Sequence, residues 1–151
     1  MLNPKNYRPG FDPWGLGLFL LIMLPTFVWF VLPAPDDVLR TESVTPLSDA
    51  IGQALQIIMA AALCAVINVA GGEPMKRKYW TGSAVCVMLY FSGWAAYYAE
   101  IANTAVILDL CLAPCGAFLF WALARRNALA LISGAMFTVC HLISTVINFI
   151  L

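Results

Sequence analysis

The fold class of this chain is decided by the sequence AVILDLCLAPCGAFLFWALARRNALALISGAMFTVCHLISTVINFIL, residues 105–151. It contains two apolar runs, Ala105 to Ala124 and Ala128 to Leu151, which are separated only by Arg125, Arg126 and Asn127. A helix needs about 20 apolar residues to cross the hydrocarbon core of a bilayer, and each run supplies that length. Because a short polar turn separates them, we predict two antiparallel transmembrane helices here.

Three earlier runs, Trp14 to Leu32, Pro46 to Ala70 and Tyr79 to Ala99, repeat this pattern. Hydrophobic residues make up 62% of the chain and charged residues 11%, against about 45–50% and about 25% in soluble domains. Unpaired backbone groups are too costly in hydrocarbon, so each run must be helical. We therefore predict an all-α integral membrane protein, in which residues 1–151 form a single transmembrane domain, a bundle of five transmembrane helices.

The basic residues predict the orientation of this bundle, because short loops rich in lysine and arginine stay in the cytoplasm. With five spans, all but one of them fall on the same side, namely Lys5, Arg8, Lys76, Arg77, Lys78, Arg125 and Arg126. Arg40 alone falls on the other side, with Asp36, Asp37, Glu42, Asp49 and Glu100. The N-terminus is thus expected in the cytoplasm and the C-terminus outside. We expect a plasma membrane location, in a prokaryotic inner membrane, because the loops are short and no processing signal is evident.

Polar and small residues recur at helical spacing on several of the predicted helices, which indicates faces that pack against other helices. On the second they are Asp49, Gln53, Gln56, Ala60, Cys64 and Asn68, on the third Cys86, Tyr90, Gly93, Tyr97 and Glu100, and on the fifth Gly134, Thr138, His141, Thr145 and Asn148. Most of the polar members fall in the outer half of the bilayer, over an apolar inner half. This asymmetry predicts a polar pocket that opens to the outside and is closed toward the cytoplasm.

Asp109, in the fourth helix, is the first candidate for the ligand-binding site, because a carboxylate inside a span is usually paired, pore-facing or functional. The alternative is that it simply meets water, since it lies near the outer end of its helix. The full set of predicted ligand-binding residues is Asp109, His141, Glu100, Gln56, Gln53, Tyr97, Tyr90, Thr145 and Asn148.

His141, the single histidine, has several readings. It fits a proton relay, a general base or a metal ligand, and equally a single hydrogen bond between helices. With Asp109 and Glu100 it would offer a nitrogen and carboxylate ligands suited to zinc, manganese or iron. No metal-binding motif is present, so we predict no metal site. We also predict no cofactor and no catalytic residue.

Three functions are compatible with these patterns. The first is a membrane protein that binds or transports a small molecule, an ion or a lipid in the outward-facing pocket. The second is an accessory or structural subunit whose polar stripes are helix contacts. The third is an intramembrane enzyme acting on lipid or envelope substrates, with Asp109 or Glu100 and His141 as acid and base.

The expected partners are the lipid bilayer and a small-molecule or lipid ligand. No internal repeat is evident, and alternating-access transporters commonly contain two repeats. A solitary transporter would therefore require a homodimer, and an accessory subunit would join a larger membrane complex. The chain has no basic face for nucleic acid, so no nucleic-acid partner is expected.

Overall fold

The computed structural model describes residues 4–35, 37–69 and 77–151, and most of them are helical. The long helices in this part of the chain are α1 (Pro13–Val31), α2 (Pro46–Ala65), α3 (Arg77–Tyr98), α4 (Thr104–Ala124) and α5 (Ala128–Phe149). Their ends agree with the sequence-based boundaries to within two residues, except at the end of α2. The predictions for Asp36, for Ala70 and for the loop Gly71-Gly72-Glu73-Pro74 with Lys76 lie outside the described residues.

Among the described residues, α1, α2, α4 and α5 are long and apolar enough to cross a membrane. The 22 residues of α3 are sufficient in length, but its tyrosines, tryptophans, serines and glycines give it a lower mean hydropathy. The protein is therefore helical, with apolar helices of the kind that lie in a membrane.

The end of the second helix differs from the prediction. After α2 stops at Ala65, residues Val66–Asn68 form a strand, β2, that pairs antiparallel with β1 (Tyr7–Pro9). The prediction of one continuous helix from Pro46 to Ala70 is therefore wrong for Val66 to Val69. The first two residues of β2 are β-branched, which favours extended backbone, and the segment before α1 supplies the hydrogen-bonding partner.

The helices pack with α2 along α5, α5 against α4, and α4 along α3. Small residues allow the close approach of α3 and α4, as is usual between membrane helices. A Cβ added to Gly116 would lie 2.9 Å from Cys86 Sγ, and one added to Gly93 would meet the Asp109 carboxylate. By contrast, α1 makes smaller contacts with α2, α3 and α4.

We call the two ends of this bundle the Asp37 end and the Arg125 end. The Asp37 end contains the connection from α1 to α2, and the Arg125 end contains the connection from α4 to α5. At the Arg125 end, α1 and α2 come very close, because the Leu63 carbonyl oxygen lies 2.5 Å from the position of a Cβ on Gly15. Toward the Asp37 end the same two helices line a cavity instead.

Candidate functional site

A cavity of about 390 Å³ lies inside the bundle, and α1, α2, α3, α4 and α5 all contribute to its wall. We call it the main cavity. Its volume falls within the range of small-molecule sites, roughly 300–1,000 Å³. The polar side chains in its wall are Thr26, Ser48, Asp49, Gln53, Gln56, Tyr90, His141 and Ser144.

The face of α2 that borders the main cavity carries Asp49, Gln53 and Gln56. Steps of four and three residues place these side chains on one side of a helix. Gln56 is half-buried and Gln53 is exposed. In the described part of the chain, neither amide makes a hydrogen bond to another residue, although each carries a carbonyl acceptor and an NH₂ donor. Both amides are therefore available to bind a molecule in the cavity.

The face of α5 that borders the main cavity carries His141 and Ser144. The imidazole stacks on the ring of Phe137, with centroids 5.2 Å apart and planes inclined by 14°. Within the described residues, its ring nitrogens have no hydrogen-bond partner. Ser144 is only 8% exposed and lies close to the Asp49 carboxylate, yet its Oγ forms no well-aligned hydrogen bond with a described residue. This wall too has unused hydrogen-bonding capacity, which is costly in a buried group unless a ligand or water satisfies it.

Asp49 is the charged residue in the wall of the main cavity. It lies in the first turn of α2, where a negative charge interacts favourably with the helix dipole. Its carboxylate accepts hydrogen bonds from Ser43 Oγ and, at 3.4 Å, from Thr45 Oγ1. No lysine or arginine forms an ion pair with it in the part of the chain that the structure describes. The Asp49 carboxylate is thus oriented by hydroxyl groups and lies near His141, and no described lysine or arginine neutralises its charge.

A smaller cavity of about 190 Å³ adjoins the main one. Both cavities are lined by Thr26, Tyr90, Leu110 and His141. Much of the remaining lining is aromatic, and we therefore call the smaller cavity the aromatic lobe; its rings include Trp29, Trp94 and Phe149. The two spaces share enough of their wall to hold different parts of one molecule.

Around the aromatic lobe, the hydroxyl group of Tyr90 and the indole N–H of Trp94 differ in their hydrogen bonding. Tyr90 is 4% exposed, and its hydroxyl lies 3.1 Å from Thr26 Oγ1, so these two side chains join α3 to α1. Trp94 is 7% exposed, and its Nε1 lies near the Tyr90 hydroxyl but forms no well-aligned hydrogen bond with a described residue. A buried indole N–H usually finds a partner, so Trp94 marks a place where an acceptor is expected.

The Asp37 end carries a polar cluster around Asp37. Its Oδ2 accepts hydrogen bonds from Trp29 Nε1 at 2.8 Å and Arg40 Nε at 2.9 Å, and its Oδ1 accepts one from Tyr97 at 2.7 Å. Burial alone raises the pKa of Asp37, but the bonds from Tyr97, Trp29 and Arg40, with the arginine charge, outweigh it and hold the pKa below its ordinary value. The same cluster positions Leu39, whose backbone N–H donates to Tyr97 at 3.2 Å, in the wall of the aromatic lobe.

The Arg125 end is closed by a second polar cluster. Arg125 forms an ion pair with Asp12, which is 5% exposed. Asn127 is 2% exposed, and its Nδ2 donates to the carbonyls of Ala62 at 2.8 Å and Val66 at 3.1 Å. These bonds connect the start of α1, the end of α2 and the start of α5, and they leave the polar part of the main cavity nearer the opposite end.

The structure brings together some of the predicted ligand-binding residues. Gln53, Gln56, Tyr90 and His141 line the main cavity, and Thr145 lines the aromatic lobe with Tyr90 and His141. Their role in binding stays a prediction, but their common location agrees with the predicted convergence of helical faces.

Tyr97 and Asn148 lie elsewhere and are satisfied within the chain. Tyr97 holds Asp37, as described above. Asn148 is hydrogen-bonded to the loop before α2. Its Oδ1 accepts a hydrogen bond from Val44 N and its Nδ2 donates one to Thr45 Oγ1, both at 2.7 Å. These contacts are of the helix-packing kind.

The two predicted acidic site residues are also apart from the cavities. Asp109 lies at the α3–α4 contact against Gly93, and Glu100 is exposed on the connection between these helices. Neither borders the main cavity or the aromatic lobe. Asp109 projects toward α3 and Glu100 follows the end of α3, so neither carboxylate joins His141 in these two cavities, and a binding role for them stays a prediction.

The predicted set lacked several residues of the site, among them Asp49, Ser144 and Trp94. Asp49 belonged to the polar stripe of α2, so its spacing from Gln53 and Gln56 was a usable signal. Ser144 precedes Thr145, and a serine in a helix gives little indication of its role. Trp94 resembles the other aromatic residues of α3, and only its unpartnered Nε1 distinguishes it.

Comparison with protein-family models, curated proteins and solved structures gives no match for this chain. The chemistry of the site must therefore be inferred from its residues. Among the described residues, no group of three or more histidine, cysteine, aspartate or glutamate side chains is arranged to hold a metal ion. What the site offers is a carboxylate, amides, an imidazole and an indole N–H around a largely apolar hollow.

Proposed function

We propose that this chain is an integral membrane protein with five transmembrane helices that binds a small molecule in the main cavity. One observation carries the proposal: the wall of that cavity holds several polar side chains with unused hydrogen-bonding capacity. Gln53, Gln56 and His141 make no hydrogen bond to another described residue, and the Ser144 Oγ is buried without one. Polar groups inside a membrane helix bundle are expensive, so their retention without partners favours a binding role.

The fifth span in this proposal is α3. Its 22 residues are enough to cross the hydrocarbon core. Val85, Met88 and Leu89 are between 49% and 73% exposed, so the face of α3 that points away from the bundle is apolar, as contact with lipid requires. With five spans, the basic residues cluster on one side, and this supports an orientation with the Arg125 end in the cytoplasm and the Asp37 end outside the plasma membrane.

Binding fits this arrangement better than free passage through the bundle. Toward the proposed cytoplasmic side, the close contact of Gly15 with Leu63 and the ion pair of Asp12 with Arg125 close the space between the helices. A permanently open pore would need polar lining along its whole length. Transport would therefore require these contacts to separate. We propose binding as the activity, and transport would be an additional step.

The contrast between the predicted site residues argues against a purely structural use of the polar stripes. Tyr97 and Asn148 make several hydrogen bonds within the chain, as residues of a helix contact should. Gln56 and His141, at equivalent helical spacing, make none within the described residues. An enzyme based on His141 with Asp109 or Glu100 lacks support, because those carboxylates do not border the cavity.

Native mass spectrometry of the protein purified from its membrane in a mild detergent tests the proposal. Gly52 lines the main cavity, and a Cβ at this position would lie 3.6 Å from Cys140 Cβ, an ordinary contact. The Gly52→Leu variant should fill part of the cavity and lose a bound molecule that the wild type retains. Gly52→Ala is the matched control, because it adds only the tolerated Cβ.

We expect an additional mass on the wild type and on Gly52→Ala, and the bare chain for Gly52→Leu. Circular dichroism would establish that all three proteins are folded. Bare chains in all samples, or an additional mass that Gly52→Leu leaves unchanged, would contradict a ligand in this cavity.

A further inference from the structure

We infer that the ligand is a small organic cation whose positive group lies beside Asp49 and whose apolar ring lies in the aromatic lobe. This inference rests on the proposed function and adds the chemical class of the ligand. Three features of the described residues carry it: the charge of the main cavity, the lining of the aromatic lobe and the wall that the two share.

The charge of the main cavity favours a cation. Asp49 is the charged group in its wall, and no described lysine or arginine pairs with it. Arg40, at the Asp37 end, is already bound to Asp37 and to the carbonyl oxygens of Trp29 and Phe30. Asp49 is partly exposed, so water screens part of its charge, but a carboxylate in the wall still attracts a positive group and opposes a negative one.

The groups around Asp49 suit this role. Ser43 and Thr45 donate hydrogen bonds to the carboxylate and so stabilise its charged form. His141 and the two glutamines of α2 provide acceptors for the N–H groups of an amine. A compact ammonium group can therefore be surrounded by acceptors and by one full negative charge.

The aromatic lobe suits a flat apolar ring. Tyr90 and Trp94 meet edge to face, with centroids 6.3 Å apart and planes at 83°, while Trp29 lies 6.2 Å from Trp94. Such an array presents both ring faces and ring edges, and aromatic faces attract cations as well as other rings. The unpartnered Trp94 Nε1 further predicts a hydrogen-bond acceptor on the ligand ring, such as an ether or carbonyl oxygen.

The two spaces accommodate one molecule rather than two. Their volumes are about 390 and 190 Å³, and Thr26, Tyr90, Leu110 and His141 belong to both walls. We therefore propose that a ligand with a cationic group at one end and a ring at the other extends from one space into the other past these side chains.

Binding of a synthetic probe to the full chain in lipid nanodiscs tests this ligand class. The probe is 2-(6-methoxynaphthalen-2-yl)ethylammonium, whose ammonium group carries N–H donors and whose methoxy oxygen is the proposed acceptor for Trp94. Its comparison compound is the uncharged isostere in which a carbon atom replaces the ammonium nitrogen. Equilibrium dialysis measures the total binding of each compound. Empty nanodiscs give the part that is due to partition into lipid, and the difference is the binding to the protein.

We expect the cation to bind the wild type about threefold to tenfold more tightly than its isostere, because only the cation pairs with the partly exposed Asp49 carboxylate. Asp49→Asn, which keeps the size of the side chain, should remove this preference. Asp109→Asn is the matched control, since its carboxylate lies at the α3–α4 contact, and it should leave the preference intact. Trp94→Phe should weaken binding of the methoxy compound but not binding of the analogue that lacks the methoxy group.

Equal binding of the two compounds to the wild type would overturn the inference, and so would binding of neither. A preference that Asp49→Asn retains would also overturn it, because the charge would then be recognised elsewhere. These outcomes are distinguishable from failure of the proposed function. A native ligand displaced by Gly52→Leu would show that the main cavity binds a molecule of another class.

Discussion

Arg125 holds the carboxylate of Asp12 through two of its nitrogen atoms, with Nε 2.7 Å from Oδ2 and Nη2 2.5 Å from Oδ1. The pair joins the end of α4 to the residue that caps α1. Asp12 also accepts a hydrogen bond from Trp14 N at 3.1 Å, so one side chain both caps α1 and anchors it. Since α1 makes only small contacts with the other helices, this pair contributes much of its attachment at the Arg125 end.

We predict that Asp12→Asn lowers the free energy of unfolding by about 2 kcal/mol, because it leaves the arginine charge without its partner. The side chain of Arg125 is 35% exposed, so water compensates part of the loss. Asparagine is a good N-cap, and Asp12→Ala should therefore cost about 1 kcal/mol more. Unfolding by a denaturing detergent, followed by circular dichroism, measures both values. Equal stability of Asp12→Asn and the wild type would show that the pair contributes nothing.

Gly15 and Gly17 provide a test of the contact between α1 and α2. A Cβ on Gly15 would lie 2.5 Å from the backbone oxygen of Leu63, which cannot move as a side chain can. Gly15→Ala should therefore lower the free energy of unfolding by about 1–3 kcal/mol. A Cβ on Gly17 has no atom within 4 Å, so Gly17→Ala should be neutral, or stabilising by up to about 1 kcal/mol. Equal stability of the two variants would contradict the close contact between α1 and α2 at Gly15.

The sequence predicted the helices because each apolar run has the length of a membrane span and ends at turn residues. It did not predict β2, because the partner strand lies in a segment without an apolar pattern, and β-branched residues also occur in membrane helices. Arg125 was correctly placed at a helix end, where its charge indicated topology. Its pairing with Asp12, 113 residues earlier, depends on how the helices pack and leaves no periodic signal.

The candidate site was predictable to the extent that it follows helical periodicity. Gln53, Gln56 and His141 were found because steps of three and four residues define a helix face. Asp109 was misplaced because periodicity does not say which neighbour a face contacts, and this residue lies against Gly93 of α3. Trp94 was missed because a sequence does not reveal which indole N–H lacks an acceptor.

The cluster around Asp37 predicts a pH dependence at the Asp37 end. Because the folded pKa of Asp37 lies below its unfolded value of about 3.8, the stability it contributes is complete above that value. It is lost as the pH falls through the lower folded pKa. The indole N–H signal of Trp29 should shift in an NMR titration when its bond to Asp37 breaks, with a midpoint below 3.8. A midpoint above 3.8, or the same transition in Asp37→Asn, would contradict this account.

Glu100 offers a stabilising substitution. It has a φ of 63°, in the left-handed region, and Ile101 N donates to Ala96 O at 3.0 Å, so Glu100 occupies the position after α3 that usually holds glycine. Glu100→Gly should therefore raise the free energy of unfolding by about 0.5–1 kcal/mol. Thermal unfolding of the two proteins in the same detergent checks this. A loss of stability would indicate that the Glu100 side chain has a structural role.

The central claim is that the polar side chains of the main cavity serve a ligand and not the fold. It is tested most directly by the free energy of unfolding of the ligand-free Gln56→Leu variant. If Gln56 has no partner within the protein, leucine of similar size should leave the stability unchanged or raise it. A loss of more than about 1 kcal/mol would show that Gln56 makes a hydrogen bond that the fold requires, and would contradict the claim.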